Sequence, residues 1–328
     1  MGRHNTNLGD HNFIANKENV IGSTGNGYNA VFGNKNTVFS THNMVAGYGI
    51  NMTANQRGGY NILGGLGISF KANVDDTTAH TEVNCNIGGG QNIYLTGKCN
   101  LFSGDTNKVL GSYNVVSGYG VVANGSYSVL GGYNVKQLDG DTSTCTIGGG
   151  NEITYSGKCN IFGGSSHSIA GNYNITTGYN NIVSGTGNAV FGGKINNLGP
   201  NTVKGNGNLV IGENNIVEKG NYSVVGGYGN KAQNEYTYMF GRNLLGTTEG
   251  FKYQFIVGLG NDTDDGAALI VGAGGTGDTG RKNCLTVGKT GTRSNVDTDA
   301  VTVKYLREEA GASGIKDIVE EMLLGGEW

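Results

Sequence analysis

The chain has 328 residues, 62 of them glycine and only one, Pro200, a proline, with a formal net charge of −3. That composition excludes collagen, which needs a strict Gly-X-Y period and abundant proline, and it offers no basic surface for a nucleic acid. No apolar run approaches the ~18 residues of a membrane span, and recurrent tyrosine and aliphatic residues argue against a disordered chain.

The first residues, "MGRHNTNLGDHNFIANKENV", lack the basic and apolar regions of a signal peptide. "MGRHNT" has the form of an N-myristoylation site, but repeats begin almost at once. Gly33, Ser40 and Gly47 are each seven apart. The polar stretch "KANVDDTTAHTEVN" (71–84) interrupts that rhythm and reads as a projecting loop. Then "CNIGGGQNIYLTGKCNLFSGDTNKVLGSYNVVSGYG" (85–120) is followed, sixty residues on, by "CTIGGGNEITYSGKCNIFGGSSHSIAGNYNITTGYN" (145–180). Within this duplication Gly104, Gly111, Gly118, Gly125 and Gly132 keep the step of seven, as do Gly164, Gly171, Gly178, Gly185, Gly192 and Gly199. A second polar stretch, 136–144, again reads as a loop. The repeating phrase is Asn–apolar–apolar–small–Gly plus two polar or tyrosyl residues, as in "NVVSG" and "NIFGG".

Seven is also the coiled-coil heptad, but glycine inside a helix costs about 1 kcal/mol relative to alanine, incurred here in every heptad. Valine, isoleucine and tyrosine favour strands, while glycine and asparagine accept the positive φ of tight turns. Each unit therefore predicts a strand of about four residues and a turn. Two units make one coil of fourteen residues, and like coils stack as a parallel β-roll. At roughly 4.8 Å per rung, some seventeen coils would extend about 80 Å.

Val115–Val116, Ile161–Phe162 and Ile182–Val183 are adjacent apolar pairs. Neighbours in a strand point to opposite faces, so one member fills the interior and the other leaves an apolar stripe outside. That stripe predicts association between copies. Toward the end, "SGIKDIVEEMLL" (313–324) places Ile315, Ile318, Val319, Met322 and Leu323 on one helical face, with Ser313 as its cap. A helix this short needs a partner: copies of itself, or the roll of its own chain.

The residues that could carry chemistry are few. The histidines (His4, His11, His42, His80, His167) show no zincin spacing, and no serine sits in a nucleophile elbow. Asp75–Asp76, Asp139–Asp141 and Asp264–Asp265 are paired acids that a glycan-cleaving fibre would use, but all lie in interruptions where loop aspartates are ordinary. "NDTDDG" (261–266) lacks the terminal glutamate of a calcium loop, and "GAGGTGDTG" (272–280) is a single copy of a motif that needs stacking. Neither glycine run carries a phosphate-binding lysine. Cys85, Cys99, Cys145 and Cys159 recur fourteen apart, unlike CxxC pairs, and read as small buried hydrophobes; Cys284 makes the count odd. Tyr113 and Tyr127, Tyr119 and Tyr133 are fourteen apart, and Tyr173 and Tyr179 repeat the pattern sixty residues on. Such ladders at the turns either bind sugar rings or stack on themselves.

The repeats, as in "NLVIGENNIV" (208–217), resemble the heads of trimeric autotransporter adhesins, the YadA-like β-roll. "NVDTDAVTVKYL" (295–306) resembles their neck. The segment 255–292, with Val271, Gly272, Arg281, Asn283 and Thr286, is similar to a β element near the ends of glycine-rich phage tail and baseplate fibre proteins. The resemblance implies an all-β, left-handed parallel β-roll, homotrimeric, with a short C-terminal helical segment. It implies a roll over 1–240, a closing element over 241–295, and a neck and helix over 296–328. Trimerisation residues would be Val301, Leu306, Ile315, Ile318, Val319, Met322 and Leu323. An autotransporter adhesin needs a signal peptide, a long stalk and a membrane barrel, whereas a virion protein needs none. The expectation is a non-enzymatic trimeric fibre of a phage particle, without cofactor or metal, made in the host cytoplasm. Its partners would be its own copies, a virion protein and a host-surface glycan or protein, with no nucleic acid and no membrane insertion. The alternatives are a structural decoration or spacer, a bacterial adhesin head, and a glycan depolymerase.

Overall fold

A computed structural model describes residues 2–22, 27–52, 59–70, 85–138, 145–193, 199–246, 253–261, 267–273, 283–288 and 291–294. Among these residues there is no helix, and the fold is a parallel β-solenoid. The chain forms two compact units, Met1–Gly187 and Asn188–Trp328.

In the first unit the strands alternate between two parallel ladders. One includes Tyr94–Leu95, Lys108–Val109 and Val122–Ala123. The other includes Ile87–Gln91, Leu101–Phe102, Val115–Val116 and Val129–Tyr133. Leu101 pairs with Val115 and Val115 with Val129, so one coil takes fourteen residues, as the glycine rhythm predicts. Longer steps mark the insertions. Ile62 pairs with Ile87 across 71–84, and Val129 with Ile147 across 139–144. The second insertion is shorter than expected. Lys136–Gln137 remains a ladder strand and the Leu138 N–H still donates to the Tyr155 carbonyl, so the loop reading of 136–138 is corrected.

In most coils the second residue of a strand faces inward. Val109, Ala123, Phe102, Val116 and Leu130 are all buried, and Tyr155 packs its ring 4.9 Å from Phe162. The glycine steps have a steric cause. A Cβ on Gly118, whose φ is +116°, would lie 2.0 Å from the Gly132 carbonyl oxygen of the next rung. No side chain fits there, and the backbone angle itself disfavours any residue but glycine.

Asparagine does take positive φ at turns, as expected, at Asn92, Asn134, Asn180, Asn214 and Asn243, but it has a second part. The asparagine of the repeated phrase does not occupy the positive-φ turn; it is buried beside it. Asn100 Oδ1 accepts the N–H of Asn114, while its amide donates to the Gly111 carbonyl and to Asn86 Oδ1. Preceding the other ladder, Asn107 Oδ1 accepts the N–H of Val121 and its amide donates to the Ser103 and Gly118 carbonyls. Each side chain thus satisfies backbone groups that the corner turns away from the sheets, which burial otherwise makes costly. The positive-φ positions ahead of these asparagines hold bulky residues instead, among them Tyr60, Cys85, Cys99, Tyr113 and Tyr127.

In the second unit Leu209–Glu213, Val224–Tyr228, Tyr238–Arg242 and Phe255–Leu259 also pair in parallel. Buried asparagines recur, with Asn201, Asn215 and Asn230 linked rung to rung. The stack then changes character. Ala267–Ala273 pairs in parallel with Phe255–Leu259, but Asn283–Gly288 returns antiparallel to it and Gly291–Ser294 pairs antiparallel in turn.

Candidate functional site, the apolar face and the ring columns

The inward rule fixes what lies outside. In the first unit, Val115 is 41% exposed while Val116 is 1% exposed, and Ile161–Phe162 and Ile182–Val183 split the same way. Along the ladder that contains Val115, successive outward residues include Met44, Ile62, Ile87, Leu101, Val129, Ile147, Ile161 and Ile175, all exposed. The opposite ladder presents Thr37, Asn51, Ser69, Lys108, Lys136, Thr154 and Ser168 at the equivalent position, interrupted by Val20, Tyr94, Val122 and Ile182. Adjacent apolar pairs alone did not show that one ladder would keep an unbroken apolar row while the other mixes it with polar residues.

Beside the apolar row runs a corner column. His11, Tyr28, His42 and Tyr60 stack with centroid separations of 4.7, 5.1 and 4.8 Å. Tyr28, His42 and Tyr60, with Phe13, Met44 and Ile62, line an open groove of about 690 Å³. In the sequence this column is hidden by its alternation of histidine with tyrosine and by steps of 17, 14 and 18. Further along, Tyr113 stacks on Tyr127 at 4.9 Å and 5°. Tyr173 occupies the same corner and is exposed. Tyr119 stacks on Tyr133 at 5.2 Å in a separate column, where Tyr179 pairs in register with Ser165 and is exposed. The six tyrosines therefore lie in two columns, all exposed, with stacking in two pairs.

The cysteines of the first unit do not occupy the interior, as the sequence reading expected. Cys85 and Cys145 are exposed and Cys99 and Cys159 half-buried, all at positive φ in the corner column that holds Tyr113 and Tyr127. The shape of the coil explains this: the corner residue ahead of the buried asparagine points outward. His167 has gone the other way. It is buried in an asparagine position, its Nδ1 accepting the Asn181 N–H at 3.1 Å and its Nε2 meeting the Gly163 carbonyl at 2.9 Å. Burial pushes its imidazole below the ordinary histidine value, against the opposing pull of its backbone hydrogen bonds.

In the closing segment, Gly272 faces Asn283 and Val271 faces Leu285, with Thr286 buried opposite Ile270. Arg281 lies outside the described residues. So do Val301, Leu306, Ile315, Ile318, Val319, Met322 and Leu323, the neck-like 295–306, the paired acids at 75–76, 139–141 and 264–265, and His80. No family model matches the chain, and no curated protein matches it.

Proposed function

We propose that this chain is a homotrimeric structural and attachment fibre of a phage particle, its copies packed through the apolar ladder. The observation that carries the reading is the unbroken row of exposed Met, Ile, Leu and Val side chains along one ladder of the first unit, where the opposite ladder is mixed and mostly polar. A continuous apolar surface of that kind is what an interface buries. The ring columns beside it are the candidate contacts for a host-surface glycan, since aromatic faces stack on sugar rings. Three chains would present each column three times, and multivalency would convert weak contacts into firm attachment. The resemblance of the repeats to trimeric adhesin heads, and of 255–292 to phage fibre ends, supports a virion location. Its virion partner would lie at one end.

Antibody labelling of intact particles tests the location; absence of label from every particle fraction would reject it. A glycan array tests attachment. Binding that is lost in Tyr113→Ala with Tyr127→Ala supports the glycan role. A purely structural spacer would leave the array blank.

A further inference from the structure

We propose that Cys85–Cys99 and Cys145–Cys159 are two dithiol couples, each of which closes to a disulfide between successive rungs and reopens on reduction. The proposal stands on geometry independent of the attachment reading. Ile87 pairs with Leu101 and Ile147 with Ile161, which sets residue 85 over 99 and residue 145 over 159. Neighbouring backbone is hydrogen-bonded on the same rungs: the Ile87 N–H donates to the Asn100 carbonyl at 2.9 Å and the Ile147 N–H to the Asn160 carbonyl at 3.0 Å. The four φ values are 58°, 57°, 61° and 53°, so each side chain leaves its corner in nearly the same direction. Tyr113 and Tyr127, in the same column, show the result as near-parallel rings. Paired strands lie about 4.8 Å apart, inside the Cα separation of roughly 4.4–6.8 Å that a disulfide spans.

The thiols of each couple are already in contact. Cys85 is a side-chain hydrogen-bond partner of Cys99, and Cys145 of Cys159. Burial, and then the neighbouring thiol, holds Cys99 and Cys159 above the ordinary thiol value. Cys85 and Cys145 are the exposed members, so they meet the oxidant first. With a small-molecule disulfide such as oxidised glutathione, the Cys85 thiolate attacks one glutathione sulfur and expels the other as thiolate. The Cys99 thiolate then attacks the Cys85 sulfur, forming the rung-to-rung bond and releasing the second glutathione. Two electrons pass from the couple to the glutathione disulfide, and the two cysteine protons end on the two glutathione thiols. The placement gives the bond a use. Cys85 directly follows 71–84 and Cys145 directly follows 139–144, where the register steps are 25 and 18 rather than fourteen. Each disulfide would clamp the first coil after an insertion to the coil that follows.

The test uses the full chain with Cys284→Ser, leaving four thiols, exposed to oxidised glutathione. The expected result is loss of all four thiols, peptides linked 85–99 and 145–159 on mass mapping, and an unfolding midpoint raised by about 3–10 °C, reversed by dithiothreitol. Cys85→Ser should remove one link and Cys145→Ser the other. Four thiols persisting, glutathione adducts left on single cysteines, or links between chains would each overturn the proposal.

Discussion

The two outer faces of the first unit share one backbone plan and differ in what they present. On the ladder of Leu101, Val115 and Val129 the outward row is aliphatic; on that of Lys108, Lys136 and Ser168 it is mostly polar, with Val122 and Ile182 between or beside them. The fourteen-residue register and the inward burial are the same on both sides, so closing the interior does not by itself account for the contrast. Strands that needed only to close the interior could carry polar residues outside, and one ladder does so at most of its rungs. The other keeps an apolar row rung after rung, which points to a surface that association covers.

The largest expected effect separates the faces outright. Ile147→Asp with Ile161→Asp should dissociate the assembly into single chains by sedimentation, because a buried carboxylate in an apolar interface is costly. Thr154→Asp with Ser168→Asp, on the opposite ladder, should leave the mass unchanged. If both pairs behave alike, the distinction between the faces has no bearing on assembly.

The next test asks whether the difference extends inward. Asn100→Ala and Asn107→Ala, which precede the apolar and polar ladders respectively, each remove three hydrogen bonds from a buried site. Each should cost about 2–4 kcal/mol in equilibrium denaturation, and the two costs should be similar. A large inequality would mean that the faces differ beneath the surface too.

His167 provides a pH test on the polar side. Its folded value lies below the ordinary 6.5, so the unfolded chain binds the proton more readily. The stability contributed by the neutral ring is fully present above about 6.5 and is lost as pH falls through the window between 6.5 and the lower folded value. Protonation would set a second N–H at Nδ1 against the Asn181 N–H. His167→Asn should keep the fold and flatten this part of the pH profile, read as the denaturation midpoint between pH 7 and 5.

The smallest effect is a gain. Thr146, ahead of Ile147 on the apolar ladder, is buried, and its hydroxyl has no partner among the described residues. Thr146→Asn would supply the Oδ1 that accepts the Asn160 N–H, as Asn86 does for Asn100. It should stabilise by about 1 kcal/mol.

Glycine spacing made the coil length legible, because a backbone-to-backbone approach at each corner admits only one residue type at Gly104, Gly118 and Gly132. The inside–outside split of Val115–Val116 was legible from the strand period. Two things were not. Asparagine suits both a turn and a buried ladder, and one chain's spacing does not separate them; Asn107 and His167, sixty residues apart in the duplication, give the clue that a ring nitrogen can stand in for the amide. The corner cysteines were misread because small thiols more often fill interiors, and only the position ahead of a buried asparagine shows that Cys85 faces out. For the candidate site, the tyrosine columns followed from steps of fourteen, whereas the histidine–tyrosine stack at 11–60 was hidden by uneven steps.

Sedimentation equilibrium of the full chain, over a wide range of dilution, bears most directly on the association inferred from the apolar ladder. The account predicts a single species of three chains that persists at low concentration. A species with the mass of one folded chain, 34.0 kDa, would contradict it.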